Sequence, residues 1–217
     1  MPPPRHTFVG IEHERAHDRQ SLDVRPKSKP SQWSQRRIAG KNADVNEERF
    51  WQLLDLFDWR RAGDDDAVVE PAVAALAAHS RADIASFADL LAEKLHALDT
   101  RDHARAAFPE ADPDDGDEYI SADDFLYARC CVVANGSEVF GAVLADPTRM
   151  PVDMEFEALL SVASMAFERK TGEAFEHVSP VDFESFTNRI GWAATAATKA
   201  GRFTGPEVPA GNRRPAK

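Results

Sequence analysis

The residues nearest to a catalytic motif are His13, Glu14 and His17, which form an H-E-x-x-H sequence close to the amino terminus. On a helix, two histidines four residues apart can bind zinc while the glutamate activates a water molecule. Such a helix must dock through an apolar face, and the zinc needs a third ligand further along the chain. The surrounding IEHERAHDRQSLD has only a weak apolar stripe, and no clear third ligand follows before the domain begins. We therefore interpret the motif as chance spacing in a disordered segment.

Two further patterns have the residue types of metal sites. Glu93 and His96 have the Glu-x-x-His spacing of half a di-iron carboxylate site, but that site needs a second copy, and the sequence has none. The aspartates at 64–66 and the acidic stretch 112–118 offer oxygen ligands for calcium or magnesium, yet neither has the spacing of an EF-hand. Helix capping explains 64–66, with a weak cation site as the alternative. The sequence thus predicts no bound metal or cofactor.

Cys130 and Cys131 are the only cysteines, and they are adjacent. This spacing suits neither a disulfide framework nor a zinc site. On a helix they point about 100° apart, and apolar surroundings raise the pKa of a thiol. We expect unreactive thiols in a reducing compartment, the cytoplasm. The chain also has no G-x-S-x-G, G-x-x-x-x-G-K-[ST] or G-x-G-x-x-G sequence, so hydrolase, P-loop and Rossmann assignments have no support.

Arg129 lies within the apolar stretch FLYARCCVVANG, residues 125–136. A helix that is apolar almost all round is central, and a buried guanidinium keeps its proton, so we expect carboxylate partners from Asp99, Asp124, Glu155 and Glu157. The main interpretation is a structural ion network. The alternative is a pocket in which Arg101 and Arg129 bind an anionic group. The candidate polar cluster comprises Asp64, Asp99, Arg101, Asp124, Tyr127 and Arg129.

The elements that would position these residues are helices throughout. Alanine is abundant and β-branched residues do not alternate, so the sequence predicts an all-α bundle of about six or seven helices over 46–192. Caps at Asn46, Ser80, Thr100, Ser121 and Asp153 mark helix starts, and Pro71 is expected in or near a first turn. The predicted helices run from Asn46 to near 59–63, then over about 67–79, 81–98, 101–107, 122–134, 137–145 and 154–171, with a short turn near 181–188.

Charge divides the chain into three parts. The formal charge of −11 comprises +4 over 1–45, −19 over 46–192 and +4 over 193–217. The two basic ends have few periodic apolar residues, so we expect both to be disordered. An acidic domain repels phosphate, which argues against nucleic-acid binding, and it attracts basic partners or simply remains soluble. No apolar run approaches the roughly 20 residues that a bilayer requires, so we expect no membrane segment.

A family resemblance rests on six stretches in order: FWQLLDLFDW, AGDDDAVVEPAVAALAAHS, FADLLAEKLHALDTRDHA, YISADDFLYARCCVVANG, VLADPTRMPVDMEFEALL and AFERKTGEAF. Together they resemble the bacterial domain of unknown function 4240 family over about 46–192. The resemblance implies a compact, mostly helical domain that begins near the Phe50–Trp51 pair. It implies no activity, substrate or catalytic residues.

The resemblance makes residues 1–44 an extension. The bias toward Ala, Arg, Asp and Pro suggests a GC-rich genome, in which GTG often serves as a start codon. We therefore expect the natural protein to start at position 45, where Val45 now stands, and residues 1–44 to be an artefact of start-site assignment.

Two classes of function remain open. The first is a non-enzymatic interaction or regulatory module whose acidic surface binds a basic protein partner. The second is an enzyme with an unfamiliar helical site that binds an anionic small molecule through Arg101 and Arg129. The sequence does not predict an oligomeric state.

Overall fold

The protein folds as a helical bundle. A computed structural model describes residues 11–12, 45–111 and 120–193. Within these ranges the chain forms seven α-helices: α1 Glu47–Leu54, α2 Asp65–Ala77, α3 Arg81–Leu98, α4 Arg101–Ala107, α5 Ala122–Ala134, α6 Ser137–Ala145 and α7 Val162–Thr171. Short 3₁₀ helices cover Trp59–Arg61, Pro147–Arg149 and Glu157–Ser161. The predicted all-α fold is confirmed.

Side-chain caps fix the helix starts that the sequence marks. At α3, the Asp83 N–H donates to Ser80 Oγ at 3.1 Å, and the Ser80 N–H donates back to Asp83 Oδ2 at 3.0 Å. Thr100 and Ser121 likewise accept from His103 and Asp124 at the starts of α4 and α5. Each such bond satisfies a backbone donor that the helix leaves unpaired, typically worth about 1 kcal/mol.

The core surrounds α5. This helix is buried along almost its whole length from Phe125 to Ala134, and it contacts α3, α4, α6 and the segment before α7, while α2 packs against α7. Aromatic contacts extend the core, for example Phe50 against Phe87 with centroids 5.0 Å apart. The predicted central position of the 125–136 stretch is correct. None of the described helices has the length and apolar character needed to cross a membrane.

The helix predicted from Asp153 starts later. Asp153 has φ 54°, and the following two residues form strand β2 (Met154–Glu155), which pairs antiparallel with strand β1 (Ile11–Glu12). The Phe156 N–H then donates to the Tyr127 carbonyl at 3.2 Å. These pairings with other parts of the chain hold residues 154–156 extended, so α7 begins only at Val162.

Two helices in the amino-terminal half differ in detail from the prediction. α1 ends at Leu54, and the chain then turns into the Trp59–Arg61 3₁₀ helix. Pro71 lies inside α2 rather than in its first turn. Because proline has no N–H, the carbonyl four residues earlier lacks its usual intrahelical donor, and Pro71 is tolerated on the exposed side of the helix.

After Gly172, which ends α7 in the left-handed conformation, the chain continues as a strap. We call residues 173–193 the C-terminal strap. It contains turns and bends but neither helix nor strand, so the helical turn predicted near 181–188 is wrong. Its side chains are exposed or half-buried except that of Ser185. Trp192 packs edge-on against Phe125, with centroids 6.1 Å apart.

Several expectations fall on residues that the structure does not describe. The H-E-x-x-H motif and the acidic stretch 112–118 lie outside the described ranges, as do the two chain ends apart from Ile11–Glu12, Val45 and Ala193. Val45 is buried, and its N–H donates to Asp83 Oδ1 at 3.1 Å.

Candidate functional site

Arg129 is completely buried, with 0% of its surface exposed. Its Nη1 donates to the carbonyls of Leu95 at 2.9 Å and Phe183 at 3.0 Å, and its Nη2 donates to Ser185 Oγ at 2.7 Å. Nε donates to the Phe125 carbonyl at 3.4 Å, and the guanidinium lies 4.8 Å from the Phe125 ring centroid. The arginine thus joins α3, α5 and the strap.

The partners of Arg129 differ from those that the sequence predicts. Its hydrogen bonds go to three carbonyls and one hydroxyl, whereas direct carboxylate partners were expected, so that prediction is wrong. Burial lowers the pKa of Arg129, and the nearby negative charge of Asp99 opposes this effect. Asp99 therefore acts on Arg129 through its electric field, because the hydrogen bonds of Arg129 go to neutral oxygens.

Asp99 is equally buried, with 0% exposed, directly after the last residue of α3. Its Oδ1 accepts the Phe186 N–H at 2.9 Å and the Trp192 indole N–H at 2.8 Å. Its Oδ2 accepts the Asn188 N–H at 2.9 Å. All three donors belong to the strap, so this carboxylate binds an irregular segment through its backbone.

Further bonds continue this arrangement along the strap. Asn188 Nδ2 donates to the His96 carbonyl at 3.0 Å, and His96 Nδ1 lies 2.8 Å from the Asp182 carbonyl, to which it donates. The Arg101 N–H donates to the Gly191 carbonyl at 3.1 Å. The Ser185 hydroxyl donates a hydrogen bond to the Ala122 carbonyl at 2.6 Å. The end of α3 and the starts of α4 and α5 thus contact the strap.

Gly191 of the strap packs tightly against the body. A Cβ at this position would lie 2.7 Å from Thr100 Cγ2 and 2.8 Å from the Asp99 carbonyl oxygen. We expect Gly191→Ala to lower the free energy of unfolding by about 1–3 kcal/mol, the usual cost of overpacking, because the backbone must move. Urea denaturation measures the change.

Gly141 is the matched control for this prediction. It lies inside α6, and a Cβ there meets nothing within 4 Å. Gly141→Ala should stabilise the protein by about 0.5–1 kcal/mol, because alanine loses less backbone entropy in a helix than glycine. Equal effects of the two substitutions would contradict a close strap contact.

The other members of the candidate polar cluster lie elsewhere. Asp64 caps α2 by accepting the Ala67 N–H at 3.1 Å, and Asp124 is exposed. Arg101 is half-buried at the start of α4. Tyr127 faces Glu157: burial raises the pKa of Tyr127, and the charge of Glu157 and its hydrogen bond raise it further. Of the six residues, Asp99 and Arg129 share the strap as their partner, with the Arg101 backbone at its edge.

Acidic side chains from four elements act through their charges on Asp65 and on Tyr127. We call this set the acidic face: Asp64, Asp65, Asp66, Asp123, Glu155 and Glu157. Burial raises the pKa of Asp65, and the charges of Asp66, Asp64 and Glu155 add to the rise. The charges of Glu157 and Asp123 both add to the raised pKa of Tyr127. Among the described residues, lysine and arginine side chains form ion pairs with Glu47, Asp58, Glu70, Asp146 and Glu173.

The cysteines and the metal candidates lack the surroundings of a reactive site. Cys130 and Cys131 are free thiols that are fully buried, and burial raises the pKa of Cys131 to about 12 and that of Cys130 further. Within the described part of the chain, no three His, Cys, Asp or Glu side chains are grouped to hold a metal ion. Glu93 is exposed, and His96 instead contacts the strap.

His103 was not singled out by sequence reasoning. Its Nε2 lies 3.2 Å from the Val143 carbonyl and its Nδ1 2.6 Å from Thr100 Oγ1. Because a carbonyl only accepts, Nε2 carries the hydrogen. Burial lowers the pKa of His103 and so favours the neutral ring, in which Nδ1 accepts from the threonine hydroxyl. Ser185 and Trp192 were also missed as site residues. For His103 the signal was the Thr100 cap three residues earlier, whereas Ser185 has no such signal.

The free energy of unfolding should decrease as the pH is lowered below 6.5, the ordinary pKa of histidine. Burial lowers the pKa of folded His103, and burial and then Arg49 lower that of His79. Below 6.5 the unfolded chain therefore binds protons that the folded chain does not, until pH reaches the lowered values. The loss is at most about 1.4 kcal/mol per pH unit for each histidine. Urea unfolding over this pH range measures it, and an unchanged slope in the His79→Gln, His103→Gln variant would contradict the assignment.

Comparison with known proteins gives one match. A family model described as "Protein of unknown function (DUF4240)" matches residues 45–169. No curated protein and no solved structure matches the chain.

Proposed function

The chain belongs to the DUF4240 family, and from that premise we propose that it is a non-enzymatic interaction module whose acidic face binds a basic protein partner. The observation that carries the proposal is the exposure of Asp66, Asp123 and Glu157, acids from α2, α5 and the Glu157–Ser161 3₁₀ helix whose charges act on Asp65 or Tyr127. Burial is the main cause of the raised pKa of Asp65, and the like charges of Asp66, Asp64 and Glu155 add to it; a basic partner relieves that repulsion.

The surroundings of the face support a partner of this chemistry. The family domain carries most of the negative charge, since residues 46–192 have a formal charge of −19. Strand β1, which lies beside Glu155, comes from the stretch 1–45 with a formal charge of +4. Free buried cysteines suit a reducing compartment, so we place the encounter in the cytoplasm.

The enzymatic alternative has less support. An anion-binding role for Arg129 requires donors directed at a ligand, but Nη1 already donates to the carbonyls of Leu95 and Phe183, and Nη2 donates to Ser185. Arg129 is also covered by the strap. The geometry therefore favours a structural role for this arginine and a surface role for the acids.

The test compares two triple variants that remove equal charge. The face variant is Asp66→Asn, Asp123→Asn, Glu157→Gln, all exposed positions that leave the Asp64 cap intact. The control variant is Glu93→Gln, Glu110→Gln, Glu168→Gln, three exposed acids on other helices or helix ends. A short lysine-rich peptide is titrated into each protein by calorimetry at low and high salt, because salt screens surface charge.

We expect the face variant to bind the peptide on the order of tenfold more weakly than the control variant at low salt, with the difference shrinking as salt rises. Equal affinities of the two variants would mean that the net charge of the whole protein drives binding. That result would overturn the proposed role of the face.

A further inference from the structure

We propose that Asp99 and Arg129 form a peptide-binding site, which strap residues 183–192 occupy in cis and which accepts a peptide of the same chemistry and the same turn-containing conformation in trans. A peptide group has one donor and one acceptor. A carboxylate beside a guanidinium offers the complementary pair. Here Asp99 accepts hydrogen bonds from the N–H groups of Phe186 and Asn188, while Arg129 donates to the Phe183 carbonyl.

Two side chains of the strap show which peptides the site would select. The Ser185 hydroxyl accepts from Arg129 at 2.7 Å and donates to the Ala122 carbonyl at 2.6 Å, so it fills a fixed polar position. The Trp192 indole donates to Asp99 and packs against Phe186, with centroids 4.9 Å apart. The ligand class is therefore a turn-containing peptide with a serine hydroxyl and, seven residues later, an indole.

The strap is bound like a ligand rather than folded like a core element. The buried apolar core ends with Ala166, before the strap begins, and Ser185 is the only buried strap residue. Apolar strap residues remain in solvent, with Val178 88% and Ile190 90% exposed. Contacts between charged groups and backbone thus hold the strap, together with the partly buried aromatic side chains of Phe175, Phe183 and Trp192, which pack against the core.

Backbone strain in the strap favours release. Phe186 has φ 72°, a left-handed conformation that is costly for a bulky residue and persists only where its surroundings impose it. The surroundings here are the bond to Asp99 and the stacking of Phe186 on Phe125, with centroids 6.4 Å apart. Leaving the site relieves this strain, which makes exchange with a second peptide feasible.

The experiment uses the full chain with a specific protease site inserted after Val178. After cleavage, the fragment from 179 onward is held only by its contacts. We expect it to co-elute with the body in gel filtration and to exchange with excess fluorescein-labelled peptide 180–193. Failure to exchange, or unfolding of the body when the fragment is diluted away, would make the strap an integral part of the fold and overturn the proposal.

Peptide variants test the site without altering the body. N-methylation at Asn188 removes an N–H that Asp99 accepts, and Ser185→Ala removes the hydroxyl that Arg129 contacts; each should weaken binding on the order of tenfold or more. N-methylation at Ile190, whose N–H is not among the donors to Asp99, is the matched control and should leave affinity within about twofold. Equal effects at 188 and 190 would exclude recognition of the backbone by Asp99.

Discussion

Replacing Arg129 with methionine should lower the free energy of unfolding by about 3–5 kcal/mol, the range for removing one partner from a buried charged group. Methionine fills much of the arginine's volume, so the loss comes mainly from polar contacts rather than from a cavity. The carbonyls of Leu95 and Phe183 lose their donor, at about 1–3 kcal/mol for each group left buried and unsatisfied. Asp99 also loses its neighbouring positive charge.

Urea denaturation followed by circular dichroism measures this change, and Arg189→Met is its control. Arg189 belongs to the same strap but is exposed, so its replacement should change stability by less than about 0.5 kcal/mol. Nearly equal stabilities of the two variants would show that Arg129 does not hold the body and strap together. The same result would favour the ligand-binding pocket that the sequence left open.

The sequence predicted helices well where local chemistry determines them. Ser80 with Asp83, Thr100 and Ser121 supply cap acceptors within three residues of the helix start, so α3, α4 and α5 begin where expected. The prediction failed at Asp153, because strand pairing with Ile11–Glu12 and the bond from Phe156 to Tyr127 are long-range contacts. Neither contact leaves a pattern in residues 153–161 themselves.

The site was predictable only in part for the same reason. The apolar stretch around Arg129 correctly indicates a buried guanidinium, and a guanidinium requires hydrogen-bond acceptors. The sequence suggested carboxylates because they are visible as residue types, whereas backbone carbonyls are present at every position. Which carbonyls Arg129 reaches depends on the path of an irregular strap, and no periodicity in residues 173–193 predicts that path.

Asp99→Asn should also cost about 3–5 kcal/mol, because it removes the charge that compensates buried Arg129. Both oxygens of Asp99 accept strap donors: Oδ1 from Phe186 and Trp192, and Oδ2 from Asn188. An asparagine presents an NH₂ group in place of one oxygen, so at least one strap N–H would face another donor in either orientation of the amide. Charge-assisted bonds of this kind contribute about 1.5–3 kcal/mol each.

Urea denaturation measures the loss, and amide hydrogen exchange locates it: the amides of Phe186 and Asn188 should lose protection before those of α5. Asp124→Asn is the matched control, since Asp124 belongs to the same predicted polar cluster but is exposed and should cost less than about 1 kcal/mol. The double variant Asp99→Asn, Arg129→Met should cost less than the sum of the two single changes, because either one already detaches the strap. Additive losses would mean that the two buried charges act independently, and the strap would then not be their shared partner.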